Sequence, residues 1–321
     1  MSEMQPNLTV SSALVQSGVA RHAFVALVAG ALAIGLSPIF VRAVLAEVGP
    51  TAIAFWRTAL AVPLLWLWLM IEPAPAPSSN GRPTSWRDYA TLLLAGVCFA
   101  GDLVLWHLSI RHTTIANSTL LANFAPIFVA LASFLLFGEK FSRTFVGGLV
   151  LAVGGAALLM ADSVSVSTDH LFGDALGLGA ALFYGSYIMT IGRLRARFTT
   201  ARIMTWTAIC TSVLVLPAAY LSGESIIPAT LFGWSMLLGL AVVTQFGGQS
   251  LIAYALAHLP ASFSSVSLLI QPVAAAVLAW AVFAEPLGPV QIVGGTVVLA
   301  GIMLARRGSR AKPAAGSTGA A

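Results

Sequence analysis

Two ionisable side chains, Arg57 and Asp102, stand well inside long apolar runs. Placing a charge at such depth in a bilayer costs roughly 2.5–3.5 kcal/mol, so each is a candidate for function. Cys98, Asp102, Trp106 and Ser109 recur at intervals of four, four and three, which makes one helical stripe. A carboxylate and an indole on one stripe suit a zwitterion with an apolar side chain: the acid meets an ammonium and the ring packs the remainder. The alternative is a ring stacked on a neighbouring helix. Arg57 has its own alternative, since a long side chain can snorkel to the interface. His107 lies near the end of its run, within reach of the interface, and reads as a satisfied histidine or a proton relay.

Amides form a second set: Asn117 and Asn123, then Gln245 and Gln249 four apart, then Gln271. Buried amides need partners, and they serve either as helix-to-helix links or as substrate contacts. Tyr184 and Tyr187, three apart, are similar, because a buried tyrosine seeks a partner for its hydroxyl. Trp56, beside Arg57, completes the candidate binding set. All of this is recognition chemistry. Asp102 and His107, five apart, diverge on one helix and make no catalytic pair. No metal-ligand cluster, phosphate loop or ATPase motif is present, so no cofactor is expected, and any movement of a solute would be uniport or ion-coupled, with protons a candidate.

The elements that position these residues are helices in lipid. With 58% hydrophobic and 8% charged residues and a mean hydropathy of +0.92, the chain departs from soluble domains, whose charged fraction is about 25%. Cys98 and Cys210 lie in apolar runs and give no disulfide framework. At roughly 20 residues per crossing, ten spans are predicted near 22–44, 50–71, 88–110, 113–137, 143–161, 173–193, 201–221, 230–255, 261–283 and 287–305.

The chain repeats itself. At a constant offset of 146, His112, Ser118, Pro126, Phe137, Glu139, Gly148 and Gly155 meet His258, Ser264, Pro272, Phe283, Glu285, Gly294 and Gly301. Earlier in each half the offset is 150, pairing Trp56 with Trp206. Five spans per half is an odd number, so the halves should be inverted, as in proteins that open a central site alternately to either side. Pro126 and Pro272, at matched positions, are hinges or fixed kinks. Orientation follows from Lys and Arg. With the N-terminus inside, the inner positions hold Arg21, Arg82, Arg87, Lys140, Arg143, Arg193, Arg195, Arg197, Arg202, Arg306, Arg307, Arg310 and Lys312, against Arg42 and Arg111 outside. The basic residues therefore lie along one membrane face and form no nucleic-acid patch. The expected organisation is a mobile tail at 1–20, a first repeat at 21–161, an extracytoplasmic linker at 162–172, a second repeat at 173–305 and a basic disordered tail at 306–321.

Four stretches carry a family resemblance: PTAIAFWRTALAVPLL, LSIRHTTIANSTLLANFAPIFVALASFLLFGEKFS, FGDALGLGAALFYGSYI and SVSLLIQPVAAAVLAWAVFAEPLGPVQIVGGTVVLAGIML. They resemble the EamA-type transporters of the drug/metabolite transporter superfamily, nearest to the amino-acid-exporting branch. The resemblance implies an all-α membrane protein of ten helices in inverted five-helix repeats, in the inner or plasma membrane. It also implies a central cavity and export of small metabolites. The Asp102 and Trp106 combination is not part of the general family pattern. The expectation is an exporter of amino acids with apolar or aromatic side chains. Its alternatives are efflux of cationic aromatic compounds, or a non-transporting membrane scaffold.

The two charges invite one further expectation. Arg57 and Asp102 lie seven and eight residues from the same ends of their spans, about 10–12 Å deep at 1.5 Å per residue. Their matched positions in half two are Thr207 and Gly248. They are expected to form an ion pair or a shared substrate clamp.

Overall fold

The computed structural model describes residues 7–72, 83–113, 115–161, 168–284 and 287–310. Apart from one short 3-10 turn and one π-helical stretch, the elements among these residues are α-helices. Half one holds α1 (Asn7–Gly35), α2 (Ser37–Val44), α3 (Pro50–Ala59), α4 (Ala61–Ile71), α5 (Trp86–His112), α6 (Ile115–Ala122), α7 (Ala125–Phe137) and α8 (Arg143–Leu159). Half two holds α9 (Leu171–Leu194), α10 (Thr200–Leu221), α11 (Leu231–Gly239), α12 (Gln249–Ala255), α13 (Ala261–Ser267), α14 (Ile270–Phe283) and α15 (Pro289–Arg310). A π-helix, Leu240–Gly248, joins α11 to α12. Helix α1 starts inside the segment expected to be a tail, and α15 runs on to Arg310.

Proline explains where spans break. The interruptions at Leu36, Leu60, Asn123–Phe124 and Leu268–Leu269 each fall just before Pro38, Pro63, Pro126 or Pro272. Proline lacks an N–H and crowds the carbonyl four residues earlier, so the helical ladder opens a few residues upstream of it. Broken helices that continue in line form single crossings. Among the described residues nine helical runs are long and apolar enough to cross a membrane. The fifth expected span is α8, whose 17 residues reach about 25 Å, short of a roughly 30 Å hydrocarbon core.

Packing makes the inversion of the repeats visible. Helices α8 and α15 are the matched last spans of the two halves, and they run antiparallel along a glycine seam. A Cβ on Gly148 would meet the Gly301 carbonyl at 2.7 Å, and one on Gly155 the Gly294 carbonyl at 2.8 Å. Exchanging the halves turns one of these contacts into the other. Spans two and seven, also matched, run antiparallel as well: Ser212 Oγ donates to Thr58 Oγ1 at 2.9 Å and Thr205 Oγ1 to the Leu65 carbonyl at 3.0 Å. The main apolar core lies between α5, α9, α10, α1 and the π-helix, around Leu27, Leu92, Phe99, Tyr187, Met204 and Ile252.

Charge separates the two ends of the bundle. At the acidic end the loops of the two halves cap each other's helices. Glu224 accepts from the Thr51 amide at the start of α3 and pairs with Arg111 at the end of α5. Glu47 accepts from the amide and hydroxyl of Thr230, the N-cap of α11, at 3.0 and 2.7 Å. At the basic end Arg197 pairs with Asp88 at 2.9 Å and Thr199 donates to Glu72 at 2.6 Å.

Candidate functional site

Side chains from both halves converge at mid-span. Arg57 on α3 donates through Nε to Gln245 Oε1 on the π-helix at 3.2 Å, and its guanidinium lies 5.7 Å from the Phe99 ring centre on α5. Phe99 stacks on Tyr187 of α9 at 4.8 Å. The Tyr187 hydroxyl donates to Gln249 Oε1 on α12 at 3.3 Å, and Tyr184 stacks beside Tyr187 at 6.0 Å. The Tyr184 hydroxyl is within interaction range of Gln249 and Gln271. Asp102, one helical turn beyond Phe99, interacts electrostatically with Arg57 and Tyr184. The expected ion pair is not made: the Arg57 Nε goes to Gln245, and no contact of 4 Å or less joins it to Asp102.

The π-helix places Gln245 and Gln249. It spans Leu240–Gly248, matched by offset to Leu94–Asp102, which is ordinary α-helix in α5. Such wide turns occur mostly as short insertions within α-helices, frequently at functional sites. Gly248 leaves room for α1, since a Cβ there would lie 3.1 Å from the Gly30 carbonyl.

A small cavity opens between the two broken spans, bounded by Ala122, Asn123, Pro126, Tyr184, Ser265 and Gln271 among others. Pro126 and Pro272 deprive the carbonyls of Ala122 and Leu268 of their usual helical donors. Both residues line this cavity. Asn123 itself donates to the Thr119 carbonyl of its own helix at 2.9 Å.

Packing holds three of the candidate features in protein contacts. Trp56 is engaged at the acidic end, where its indole donates to the Ile226 carbonyl at 2.7 Å and meets Trp234 edge-on at 5.0 Å. His107 is buried against its neighbours, with Nδ1 2.5 Å from the Leu103 carbonyl one turn earlier. The stripe on α5 is split by packing. Ser109 donates to the Gly173 carbonyl at 2.7 Å and Cys98 faces Thr190, both on α9. Asp102 and Trp106 remain partly accessible, and the Trp106 ring lies edge-on to His107 at 4.9 Å. Asn117 donates to Asp174 at 3.2 Å and so links α6 to α9.

Phe99 was missed. Its signal was available, because Phe99 is the residue that the offset of 146 matches to Gln245.

The EamA-like transporter family matches residues 22–161 and, a second time, residues 171–307. The chain belongs to this family. The family match falls once on each structural repeat, so the duplication inferred from spacing is also the family's unit. This EamA-like protein is 30% identical over 255 residues to the pseudopaline exporter CntI of Pseudomonas aeruginosa, covering 79% of this chain and 85% of that one. It is 28% identical to a probable terminal-alkyne amino-acid exporter of Streptantibioticus cattleyicolor, over 69% and 74% of the two chains. A solved crystal structure superposes with a TM-score of 0.74 at 16% identity, over 92% of this chain and all of the other, which shows the shared fold. The EamA-like chain is thus a multi-pass membrane protein of a transporter family.

Proposed function

We propose that this protein is an alternating-access exporter of small amino-acid-like metabolites, with apolar or aromatic side chains preferred. Ten helices cross the inner or plasma membrane in two five-helix repeats, with both termini and the basic end in the cytoplasm. The carrying observation is the convergence of Arg57 and Asp102 from one half with Tyr184, Gln245, Gln249 and Gln271 from the other. A site built from both repeats is the arrangement that rocking one repeat against the other exposes alternately. The exporter names of its relatives support the direction. The two charges, opposite in sign and not in contact, suit the two poles of a zwitterion, with Asp102 toward the ammonium. Proton exchange is the candidate coupling. Efflux of cationic aromatic compounds would use Asp102 and Trp106 alike, but the Arg57 guanidinium in the same cluster disfavours a ligand whose only charge is positive.

Counterflow of labelled amino acids in proteoliposomes, with and without a pH gradient, tests this reading. Saturable exchange of an amino acid is the expected result. A folded protein that exchanges none, and is not stabilised by any, would fit the scaffold alternative instead. Tags at Ser79 and after Arg310 should report the cytoplasm and one at Ser167 the outside. A tag at Ser79 that reports the outside would end the ten-span arrangement.

A further inference from the structure

We infer that the substrate must carry a free carboxylate, and that Arg57 receives it together with the side-chain amide of Gln245. This deepens the transport reading and rests on it. Gln245 is fully buried. Arginine has no acceptor, so the amide end facing Arg57 Nε has to be the oxygen, as the 3.2 Å contact has it. The NH2 end is therefore the one left over, and Nε2 has no hydrogen-bond partner. A buried donor without an acceptor is unfavourable, and the imbalance disappears when a ligand brings one.

The surroundings repeat the imbalance. Arg57 commits Nε to Gln245 and one face to Phe99, and its other N–H groups make no hydrogen bond among the described residues. That fork matches the two oxygens of a carboxylate. Gln271 Nε2, across the cluster, makes no hydrogen bond of 3.5 Å or less, although the Tyr184 hydroxyl lies near it. Against these donors Asp102 supplies the one carboxylate of the cluster, and it does not contact Arg57. A ligand with an anionic acceptor completes the Arg57 and Gln245 side, while its ammonium takes Asp102. A neutral ester or an amine without a carboxylate leaves Arg57 uncompensated.

The test uses the reconstituted full chain and a panel of labelled L-leucine, L-phenylalanine and L-threonine. Whichever exchanges is competed with its methyl ester and with the amine that lacks the carboxylate. Both analogues should compete at least about 100-fold more weakly than the free acid. Gln245→Leu should weaken the amino acid about tenfold or more and leave the amine's weak competition unchanged. Gln245→Glu keeps the size of the side chain and an acceptor toward Arg57 but replaces the donor with a negative charge. It should show the same selective loss, so the assignment does not hang on one variant's folding. An ester that competes within a few-fold of the acid would overturn the inference, as would Gln245 variants that weaken acid and amine equally. Either result leaves export standing, whereas an absence of any exchange removes export itself.

Discussion

Spans four and nine are the same element written twice, yet their halves keep different company. Exchanging the repeats maps α6 onto α13 and α7 onto α14. Helix α6 packs on α5 and α9. Its counterpart α13 does not stay with the equivalent neighbours: it keeps an aromatic contact with α1, Phe263 on Phe24 at 6.0 Å, but crosses to pack on α7 and α9. Hydrogen bonds record the same departure. Ser118 on α6 donates to the Trp106 carbonyl of α5 at 3.3 Å, whereas its match, Ser264 on α13, is buried with Oγ unpartnered. Ser262 holds α13 to the far half by donating to Glu139 at 2.9 Å, and the residue matched to Ser262 is Ala116, which has no hydroxyl. Spans four and nine therefore meet at the basic end. The difference teaches that one motif can hold two conformations in one molecule, selected by neighbours rather than by its own sequence. In an alternating-access cycle, the two would trade places.

The symmetric part of the comparison should be hardest to disturb. Gly301→Leu should eliminate monodisperse protein in size-exclusion chromatography, because the new Cβ meets the Ala152 backbone nitrogen at 2.4 Å. Overpacking of this kind costs about 1–3 kcal/mol or more, and backbone cannot yield as a side chain can. Gly154→Ala, whose Cβ meets nothing within 4 Å, is the control and should be neutral.

The charges present only in half one come next. If Arg57 and Asp102 are two poles of a clamp, Arg57→Gln and Asp102→Asn each reduce counterflow at least about 100-fold, and the double variant stays inactive. A structural pair would instead give poorly expressed single variants and a double variant that recovers expression and transport. Asp102→Asn with full activity would remove both roles.

A smaller effect should separate the two serines. One neutral hydrogen bond is worth about 0.5–1.5 kcal/mol, or roughly a two- to tenfold shift between conformations. With Cys98 and Cys210 replaced by serine, a cysteine at position 123 is labelled by a polar thiol reagent from the acidic end. Ser118→Ala should slow that labelling several-fold, whereas Ser264→Ala, which breaks no bond in this conformation, should leave it nearly unchanged. Equal effects would contradict the asymmetry.

The smallest effect concerns the acidic-end caps. Burial alone would raise the Glu224 carboxyl, but bonds from Arg111, Thr51 and Ser222 outweigh it and hold it below the usual range. The Thr230 hydroxyl is the main cause of the same direction at Glu47. A lowered carboxyl contributes stability above its unfolded value, and that contribution is lost as pH falls through the folded value. Thermal unfolding in detergent should therefore show Glu224→Gln less stable than the parent by a few °C, on the order of 2 °C, at pH 7. The difference should fade as the pH falls below the ordinary glutamate range and through the lowered folded value. A gap that persists once the carboxyl is protonated would mean its charge plays no part.

Much of this was legible in the residues alone. Apolar length and helical period determine each crossing locally, and every broken span stops just short of a proline. Duplication and inversion followed from a constant offset and an odd number of spans, because lipid permits few other solutions. Most members of the candidate cluster were legible too, since a charge or amide at mid-span stands out against an apolar background. The rest was decided by packing between helices that are distant in sequence. Phe99 reads as one more apolar residue until Arg57 and Tyr187 arrive on its two sides. Ser109 and Cys98 share the stripe of Asp102, but α9 packs against them. Trp56 and His107 carry suitable chemistry and are occupied elsewhere. The π-helical turn at Gln245 has no marker in its residue types, and Ser118 and Ser264 are identical in sequence but differ in what lies opposite. Those are properties of contact, which a local pattern of residues does not contain.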